Sequence, residues 1–470
     1  MMNNELRPYE LRYVNDIPWV DSMPAHWDVQ RGKAVYKKLN RLTREIDEVV
    51  TCFRDGVVTL RKNRRTTGFT ESIKEIGYQG IRRDDLVIHV MDAFAGAIGV
   101  SDSDGKGTPV YSVCESKADL NNYYYAYVIR GMAKIGFIQS LYRGIRERSS
   151  DFRFEVFANQ YLPIPPRLEQ DQIVKYLDHK LVRINKFIKA KKKLIAVLKE
   201  QKQAIINEAV TKGLDSSVKM KPSGIDWLGD VPEHWDVGKL KKYAKLNPSM
   251  KVLKSNYVSK DNVVFLSMDK ISTDGDIDNS ELRLIKDVRT GFTAFTRQDV
   301  VIAKITPCFE NGKGACLENL VTELGYGTTE LIVIRPDQTR LLGKYLYFVT
   351  RCEYFRIFGS EVMTGSAGQK RVPLSFVANF TVGFPEINEQ KSIVDEIEKQ
   401  HELINNSIKI LNREIELITE YKNSLTSDVV TGKVDVRNII IDETEDEVIE
   451  DPELDEKSIG EESLEAEDGD

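Results

Sequence analysis

Residues 165–215 read PPRLEQDQIVKYLDHKLVRINKFIKAKKKLIAVLKEQKQAIINEAVTKGLD, and the outline of this stretch returns 220 positions later. The second copy begins FPEINEQKSIVDEI at residue 384 and ends TSDVVTGKVD at residue 435. Under this shift Glu169-Gln170 aligns with Glu389-Gln390, and Val210-Thr211 aligns with Val430-Thr431. The chain therefore contains this stretch twice.

Both copies carry apolar residues at alternating spacings of three and four. A heptad pattern sustained for this long predicts a coiled-coil seam rather than an ordinary surface helix. Prolines before the first copy and Gly213 and Gly432 after the two copies are typical of helix ends. About 44 residues at roughly 1.5 Å each give a helix about 65 Å long. The predicted seam residues are Ile173, Leu177, Leu181, Ile184, Ile188, Ile195, Leu198, Ile205 and Ala209 in the first copy and Ile393, Ile397, Ile404, Ile408, Leu411, Ile415, Ile418, Leu425 and Val429 in the second.

The composition favours a water-soluble protein of two to four domains, since 470 residues include 41% hydrophobic and 30% charged residues. The N-terminus lacks the apolar core of a signal peptide, and no run reaches the ~20 apolar residues of a membrane span. Five cysteines without a CxxC motif are typical of reduced thiols. We therefore expect a cytoplasmic protein without a disulfide framework.

The net charge of −6 hides a basic body. Residues 442–470 hold 16 Asp/Glu and one Lys, and without them 66 basic residues face 57 acidic ones. This tail has too few apolar residues to form a core, so we expect it to be disordered. A basic body is compatible with a polyanionic partner but does not identify one.

A second motif is also duplicated, as IPWVDSMPAHWDV at 17–29 and IDWLGDVPEHWDV at 225–237. All four tryptophans, Trp19, Trp27, Trp227 and Trp235, lie in these copies. We interpret each copy as a structural clasp that anchors a globular unit against a helix. A catalytic or metal-binding role for His26 or His234 is the weaker alternative, because no cluster of metal ligands accompanies them.

The order of these motifs predicts an α+β protein with two α/β domains separated by a long antiparallel two-helix coiled coil. The first long helix leads away from the first domain and the second leads back, which relates the two halves by a pseudo-two-fold. Short β-like runs fill both domains, together with helical patterns at 121–138 and 343–358. The predicted boundaries are 1–165 for the first domain with an N-terminal arm, 166–215 for the central helix, 216–384 for the second domain, 385–441 for the distal helix and 442–470 for the acidic tail.

This layout resembles the specificity (S) subunit of Type I restriction–modification systems. The resemblance rests on WVDSMPAHWDV and WLGDVPEHWDV, on the helix starts PPRLEQ and PEINEQ, and on the ends TKGLD and TGKVD. It covers about residues 16–441, and the acidic tail departs from it. Each motif alone is loose, whereas their duplicated order is specific.

The resemblance implies a non-catalytic, DNA-binding subunit. Its two target-recognition domains each read one half of a split, asymmetric site on double-stranded DNA, and the paired helices act as a ruler for the gap. It also implies two methyltransferase (M) subunits and motor–nuclease (R) subunits as partners. Cofactors are expected only in those partners, namely S-adenosylmethionine, ATP and magnesium.

Four basic or polar loops are the candidates for DNA contact, because arginine, lysine and amide side chains contact phosphates and base edges. A solvated surface hairpin is the alternative for the first of them, and KAKKK at 189–193 is either a solvated helix face or a contact to spacer phosphates. The candidates are Arg61, Lys62, Asn63, Arg64 and Arg65; Arg143, Arg146 and Arg148; Lys304, Thr306, Asn311 and Lys313; and Gln369, Lys370 and Arg371.

The sequence carries no convincing catalytic motif. GKG at 105–107 and 312–314 lacks the spacing of a Walker loop, and Ile164-Pro165-Pro166-Arg167 lacks the aromatic residue of an adenine methyltransferase loop. Two other interpretations stay open. One is a coiled-coil scaffold that never reads DNA, and the other, weaker one is a self-sufficient nuclease.

Overall fold

The computed structural model describes residues 9–14, 16–64, 76–141, 151–249, 261–366 and 368–441. The chain separates into two compact units. The first unit comprises residues 1–189 and 414–470, and the second comprises residues 190–413. The predicted acidic tail, 442–470, lies outside the described residues.

The elements up to residue 212 are mostly short strands followed by one long helix. The strands are β1 Leu11–Tyr13, β2 Ser22–Pro24, β3 Asp28–Arg31, β4 Tyr36–Lys38, β5 Val50–Cys52, β6 Val58–Leu60, β7 Gln79–Ile81, β8 Leu86–His89, β9 Ile98–Val100, β10 Gly105–Gly107, β11 Tyr111–Ser116 and β12 Tyr161–Ile164. The helices are α1 Gly32–Val35, α2 Asn122–Lys134, α3 Phe137–Ser140, α4 Phe154–Ala158 and α5 Arg167–Lys212.

The remaining elements follow a similar plan. The strands are β13 Met220–Pro222, β14 Asp230–Pro232, β15 Asp236–Lys239, β16 Ala244–Leu246, β17 Asn262–Leu266, β18 Leu282–Leu284, β19 Thr293–Thr296, β20 Val300–Ala303, β21 Gly314–Cys316, β22 Leu324–Gly327, β23 Leu331–Pro336 and β24 Thr381–Phe384. The helices are α6 Ile285–Val288, α7 Gly343–Arg351, α8 Glu353–Glu361, α9 Leu374–Asn379 and α10 Ile387–Val430. The mixed helix and sheet composition expected from the sequence is confirmed.

The first unit is built on the antiparallel sheet β4-β11-β8-β9. Helix α2 is preceded by Asn121, an N-cap residue whose side chain accepts hydrogen bonds from the backbone N–H groups of Tyr123 and Tyr124. The buried face of α2 includes Tyr125, whose ring lies 5.5 Å from that of Tyr36 on β4. Strand β12 pairs with β3 and so connects the tryptophan motif to the start of α5.

The second unit contains two four-stranded sheets. The sheet β16-β23-β20-β21 is antiparallel, whereas β18-β17-β22-β19 includes one parallel pair, β17 with β22. The helical pattern predicted at 343–358 is interrupted, because Cys352 adopts φ −55° and ψ 138° between α7 and α8. This extended residue turns the chain, so that both short helices bury aromatic side chains in one core.

The long helices α5 and α10 have 46 and 44 residues and contribute to both units. In the first unit, Gln172 of α5 donates to the carbonyl of Ile439, which lies past the end of α10, at 2.8 Å, while Lys422 of α10 donates to Asn185 of α5 at 2.7 Å. Because the partner number falls as the α5 number rises, the two segments run in opposite directions there.

The second unit shows the same relation. Lys202 donates to Asn405 at 2.8 Å, and Gly213, just past the end of α5, lies beside Glu389 near the start of α10. All the predicted seam residues are buried or half-buried, whereas Leu194 and Ile410 on the same helices are exposed. Among the described residues, we find no helix with the length and apolar character that crossing a membrane requires.

Candidate nucleic-acid interface

The first tryptophan motif closes around the start of α5. The indole of Trp27 is buried and donates to Glu169 Oε2 at 2.8 Å, while His26 Nε2 lies 2.7 Å from Glu169 Oε1. A β-carbon on Gly432, which has φ +74°, would collide with Pro24. The motif therefore holds the start of one long helix and the end of the other within this unit.

The second motif makes the same contacts in its own unit. Trp235 donates to Glu389 Oε1 at 2.9 Å, and His234 Nε2 lies 2.7 Å from Glu389 Oε2. Gly213 has φ +75°, and a β-carbon there would lie 3.2 Å from the Trp235 ring. The other two tryptophans pack at the edges: Trp227 stacks on Phe380 at 4.9 Å, and Trp19 packs against the core of the first unit.

These contacts give both histidines a structural partner. Each histidine shares a glutamate carboxylate with the indole N–H of the following tryptophan, and this arrangement fixes the orientation of the glutamate side chain. In the part of the chain that the structure describes, no group of three or more His, Cys, Asp or Glu side chains could hold a metal ion.

The first predicted basic loop starts with a 3₁₀ turn, Arg61–Asn63, directly after β6. Arg61 donates to Thr51 at 3.3 Å and Asn63 donates to Thr59 at 2.8 Å. Lys62 pairs with Glu48 at 2.5 Å, and Arg64 pairs with Asp55 at 2.7 Å, both on the surface. These side chains therefore rest against their own hairpin. Arg65 lies outside the described residues, as do Arg143, Arg146 and Arg148.

The two predicted loops of the second unit lie together, although they are about 60 residues apart in sequence. The Thr306 N–H donates to the Lys370 carbonyl at 3.0 Å, and the Lys370 N–H donates to Thr306 Oγ1 at 3.1 Å. The Val372 N–H donates to the carbonyl of Lys304 at 2.8 Å. Residues 304–313 thus form one joined surface with residues 364–366 and 368–371, and we call this surface the paired loops.

Only some of the predicted side chains on the paired loops are available to a ligand. Asn311, Gln369 and Lys370 are exposed. In contrast, Lys313 donates its ammonium group to the carbonyl of Met268 at 3.0 Å. Arg371 makes a bidentate pair with Glu330, with both N···O distances 2.9 Å, and it holds the pKa of that carboxyl below its usual range. Arg371 therefore holds the paired loops in position through Glu330 and is not free to contact a ligand.

Two arginines that the sequence did not single out support the same loops. Arg351 at the end of α7 donates to the Gly312 carbonyl at 2.7 Å, and Gly312 has φ +69°. Arg356 on α8 donates to Gln203 of α5 at 2.8 Å and to the Glu310 carbonyl. In the sequence, a basic residue within a helical segment rich in aromatic residues is the signal that could have indicated this supporting role.

A network of ion pairs supports the loop before β5 in the first unit. Asp47 is buried and accepts from Arg44 Nε at 3.0 Å and from Arg82 Nη2 at 3.1 Å. Burial by itself raises the pKa of Asp47, but the Arg44 backbone N–H and the two guanidinium groups outweigh it and hold the pKa below 3.8. The loop is therefore anchored by a carboxylate that stays ionised.

Comparison with known proteins gives matches of one kind. No family model matches the chain. The chain is 40% identical over 166 residues to the Type I restriction enzyme EcoAI specificity subunit of Escherichia coli and 38% identical over 172 residues to the EcoEI specificity subunit of the same organism. These segments make up 35% and 36% of this chain, and they span only 28% of the length of each relative.

A solved structure extends the likeness to most of the fold. It is described as the structural basis of complex assembly and conformational transition of the type I R-M system, and it aligns with a TM-score of 0.61 at 12% identity. The alignment covers 87% of this chain and 99% of the other. Together with the sequence matches, this confirms the resemblance that the duplicated motifs indicate: the chain is related to the specificity subunits of Type I restriction enzymes.

Proposed function

We propose that this chain is the non-catalytic DNA-specificity subunit of a Type I restriction–modification complex. It reads a bipartite, asymmetric site on double-stranded DNA, one half with each unit. It directs two methyltransferase subunits and the motor–nuclease subunits to that site. S-adenosylmethionine, ATP and magnesium act in those partners.

One observation carries the proposal: the two units share their framework but expose different side chains. Trp27 with Glu169 and Trp235 with Glu389 make the same contact. The surfaces beside this framework differ, with the Arg61–Asn63 turn in one unit and the paired loops in the other. A common framework with unlike loops suits a protein that reads two unlike half-sites.

The chemistry of the paired loops suits this role. Amide side chains such as Asn311 and Gln369 can form bidentate hydrogen bonds with adenine in the major groove, and Lys370 can contact guanine or a phosphate. Arg371, Arg351 and Arg356 hold the loops in place from behind. Preorganised loops reduce the entropy lost on binding, which favours discrimination between sequences.

The helices α5 and α10 are proposed to set the gap between the half-sites. A helix of 46 residues is about 69 Å long at roughly 1.5 Å per residue. The opposite directions of the helical segments, seen separately in each unit, support an antiparallel coiled coil as this ruler.

Mapping DNA methylation in a host that carries this gene with its partner subunits tests the proposal. The expected result is one modified motif made of two unlike half-sites around an unspecified gap. Modification without sequence preference, or none at all although the complex assembles, would instead favour a scaffold that joins proteins without reading DNA.

A further inference from the structure

Three cations meet in the first unit where the β5–β6 hairpin approaches α2 and the C-terminal part of α10. Arg130 on α2 is half-buried, and its guanidinium lies so close to Gly56 in the hairpin that a β-carbon there would overlap it. Lys134 follows one helical turn later and donates to Asn423 of α10 at 2.7 Å. The neighbouring Lys422 is half-buried as well.

The partners of these cations are neutral. Lys422 donates to the amide oxygen of Asn185 at 2.7 Å, and Lys134 donates to that of Asn423. The Nε of Arg130 is buried and has no hydrogen-bond partner among the described residues. Asp55, whose charge acts on Arg130 and Lys422, is itself paired with Arg64 at 2.7 Å. Within the part of the chain that the structure describes, the positive charge of this cluster is therefore largely uncompensated.

Burial is the main influence on the pKa values of these three cations. Burial, together with the charges of Arg130 and Lys422, lowers the pKa of Lys134 to about 8. Burial and then Arg130 lower the pKa of Lys422, and burial lowers that of Arg130. The Lys134 side chain is accessible to solvent, whereas Arg130 and Lys422 are half-buried. Arg130 and Lys422 are therefore the main candidates for holding a ligand at this cluster.

At the equivalent place in the second unit, the lysine on α5 has a carboxylate partner. Lys202, which stands 220 positions before Lys422, donates to Asn405 at 2.8 Å and also pairs with Asp274 at 3.3 Å. Arg351, the counterpart of Arg130 on α7, donates to the Gly312 carbonyl. Lys202 thus has a carboxylate partner in the second unit, whereas Lys422 in the first unit donates to a neutral amide.

We propose that Arg130, Lys422 and Lys134 bind a phosphate group of the DNA backbone, beside the half-site read by the first unit. A phosphate supplies a full negative charge, whereas the acceptors that the described residues give Lys422 and Lys134 are neutral amide oxygens. This inference rests on the proposed function, because it assigns an additional contact to the same DNA. The contact fixes the position of the duplex and does not read its sequence.

The test compares two matched variants of the full chain, Lys422→Gln and Lys202→Gln. In both, glutamine retains a donor for the adjacent asparagine and removes one positive charge. Binding to a labelled random-sequence duplex is measured by fluorescence anisotropy over a series of potassium chloride concentrations. For Lys422→Gln, the slope of log K against log salt concentration should fall by about 0.9 in magnitude, because one phosphate contact is lost. For Lys202→Gln the slope should stay at the wild-type value.

Further arms separate the alternatives. Lys422→Arg should restore the slope, and circular dichroism confirms that each variant is folded. An unchanged slope for Lys422→Gln, or an equal fall for both glutamine variants, would overturn the inference. Thermal stabilisation by inorganic phosphate that Lys422→Gln abolishes, with DNA slopes unchanged, would assign the cluster to free phosphate and overturn it too. The proposed function is tested separately by the methylation map, so the two can fail independently.

Discussion

The indole N–H of Trp27 donates to Oε2 of Glu169 at 2.8 Å, and this bond joins residues 142 positions apart. Glu169 lies in the first turn of α5, where a negative side chain also complements the helix dipole. The bond therefore connects the globular part of the first unit to a long helix.

Loss of this carboxylate should destabilise the first unit. Glu169→Ala leaves the buried indole and the Tyr9 hydroxyl without their acceptor, which we expect to cost about 1–3 kcal/mol. Chemical denaturation followed by tryptophan fluorescence would measure it. Glu208→Ala, at an exposed position on the same helix, is the control and should change stability by less than about 0.5 kcal/mol. Equal effects would contradict a special role for Glu169.

The glycine after α10 should tolerate substitution poorly. Gly432→Ala combines a left-handed φ of +74° with a collision against Pro24, so we expect a loss of about 3 kcal/mol. Gly224 has a similar φ of +73° but open space around it, so Gly224→Ala should lose only about 1 kcal/mol. Thermal melts of both variants distinguish the steric contribution from backbone strain, and similar melting temperatures would refute the packing argument.

The Asp47 network predicts a loss of stability in acid. The folded state holds the pKa of Asp47 below 3.8, so its stabilisation is fully present above the ordinary pKa and disappears as pH falls through the lowered value. The free energy of unfolding of the wild type should fall from about pH 4 downward. Asp47→Asn should be less stable at neutral pH, and its free energy of unfolding should fall less steeply as the pH is lowered below about 4. If the free energy of unfolding fell equally steeply with pH in the wild type and the variant, other groups would be the cause of the decline.

The ion pair of Arg371 with Glu330 predicts an effect on specificity that exceeds its effect on stability. As a partly exposed pair it should contribute little to folding. Arg371→Met should nevertheless release Gln369 and Lys370 and relax the half-site read by the second unit. Methylation mapping would show whether the other half-site is retained. Relaxation of both half-sites, or of neither, would argue against a local positioning role.

An insertion tests the proposed ruler. Four residues added to α5 near Ala190–Lys193, with four added to α10 at the matching level, lengthen each helix by about 6 Å and nearly preserve the seam register. The modified motif should keep both half-sites and gain a longer gap. The matched control replaces four residues of each helix at the same level with alanine and adds none. A changed half-site with the original gap would contradict the spacer role.

Much of the framework could be predicted because its signals are local or repeated. The heptad spacing places two long helices, and the structure has them at Arg167–Lys212 and Ile387–Val430. The repeated tryptophan motif indicated a structural clasp, and the structure gives both indoles a glutamate partner near the start of a long helix. The interruption of the helix predicted at 343–358 was missed, because Cys352 carries no breaker signal in the sequence.

By itself the sequence determined the helical periodicity, the duplicated clasp and the basic character of the body, since each depends on residue types at fixed spacing. Only the tertiary structure decided how the loops are used. Thr306 and Lys370 meet across 64 residues, and this meeting leaves Gln369 exposed while Arg371 turns to Glu330. Whether a charged side chain has a partner depends on packing between segments that are distant in sequence, so it cannot be predicted from residue spacing along the chain.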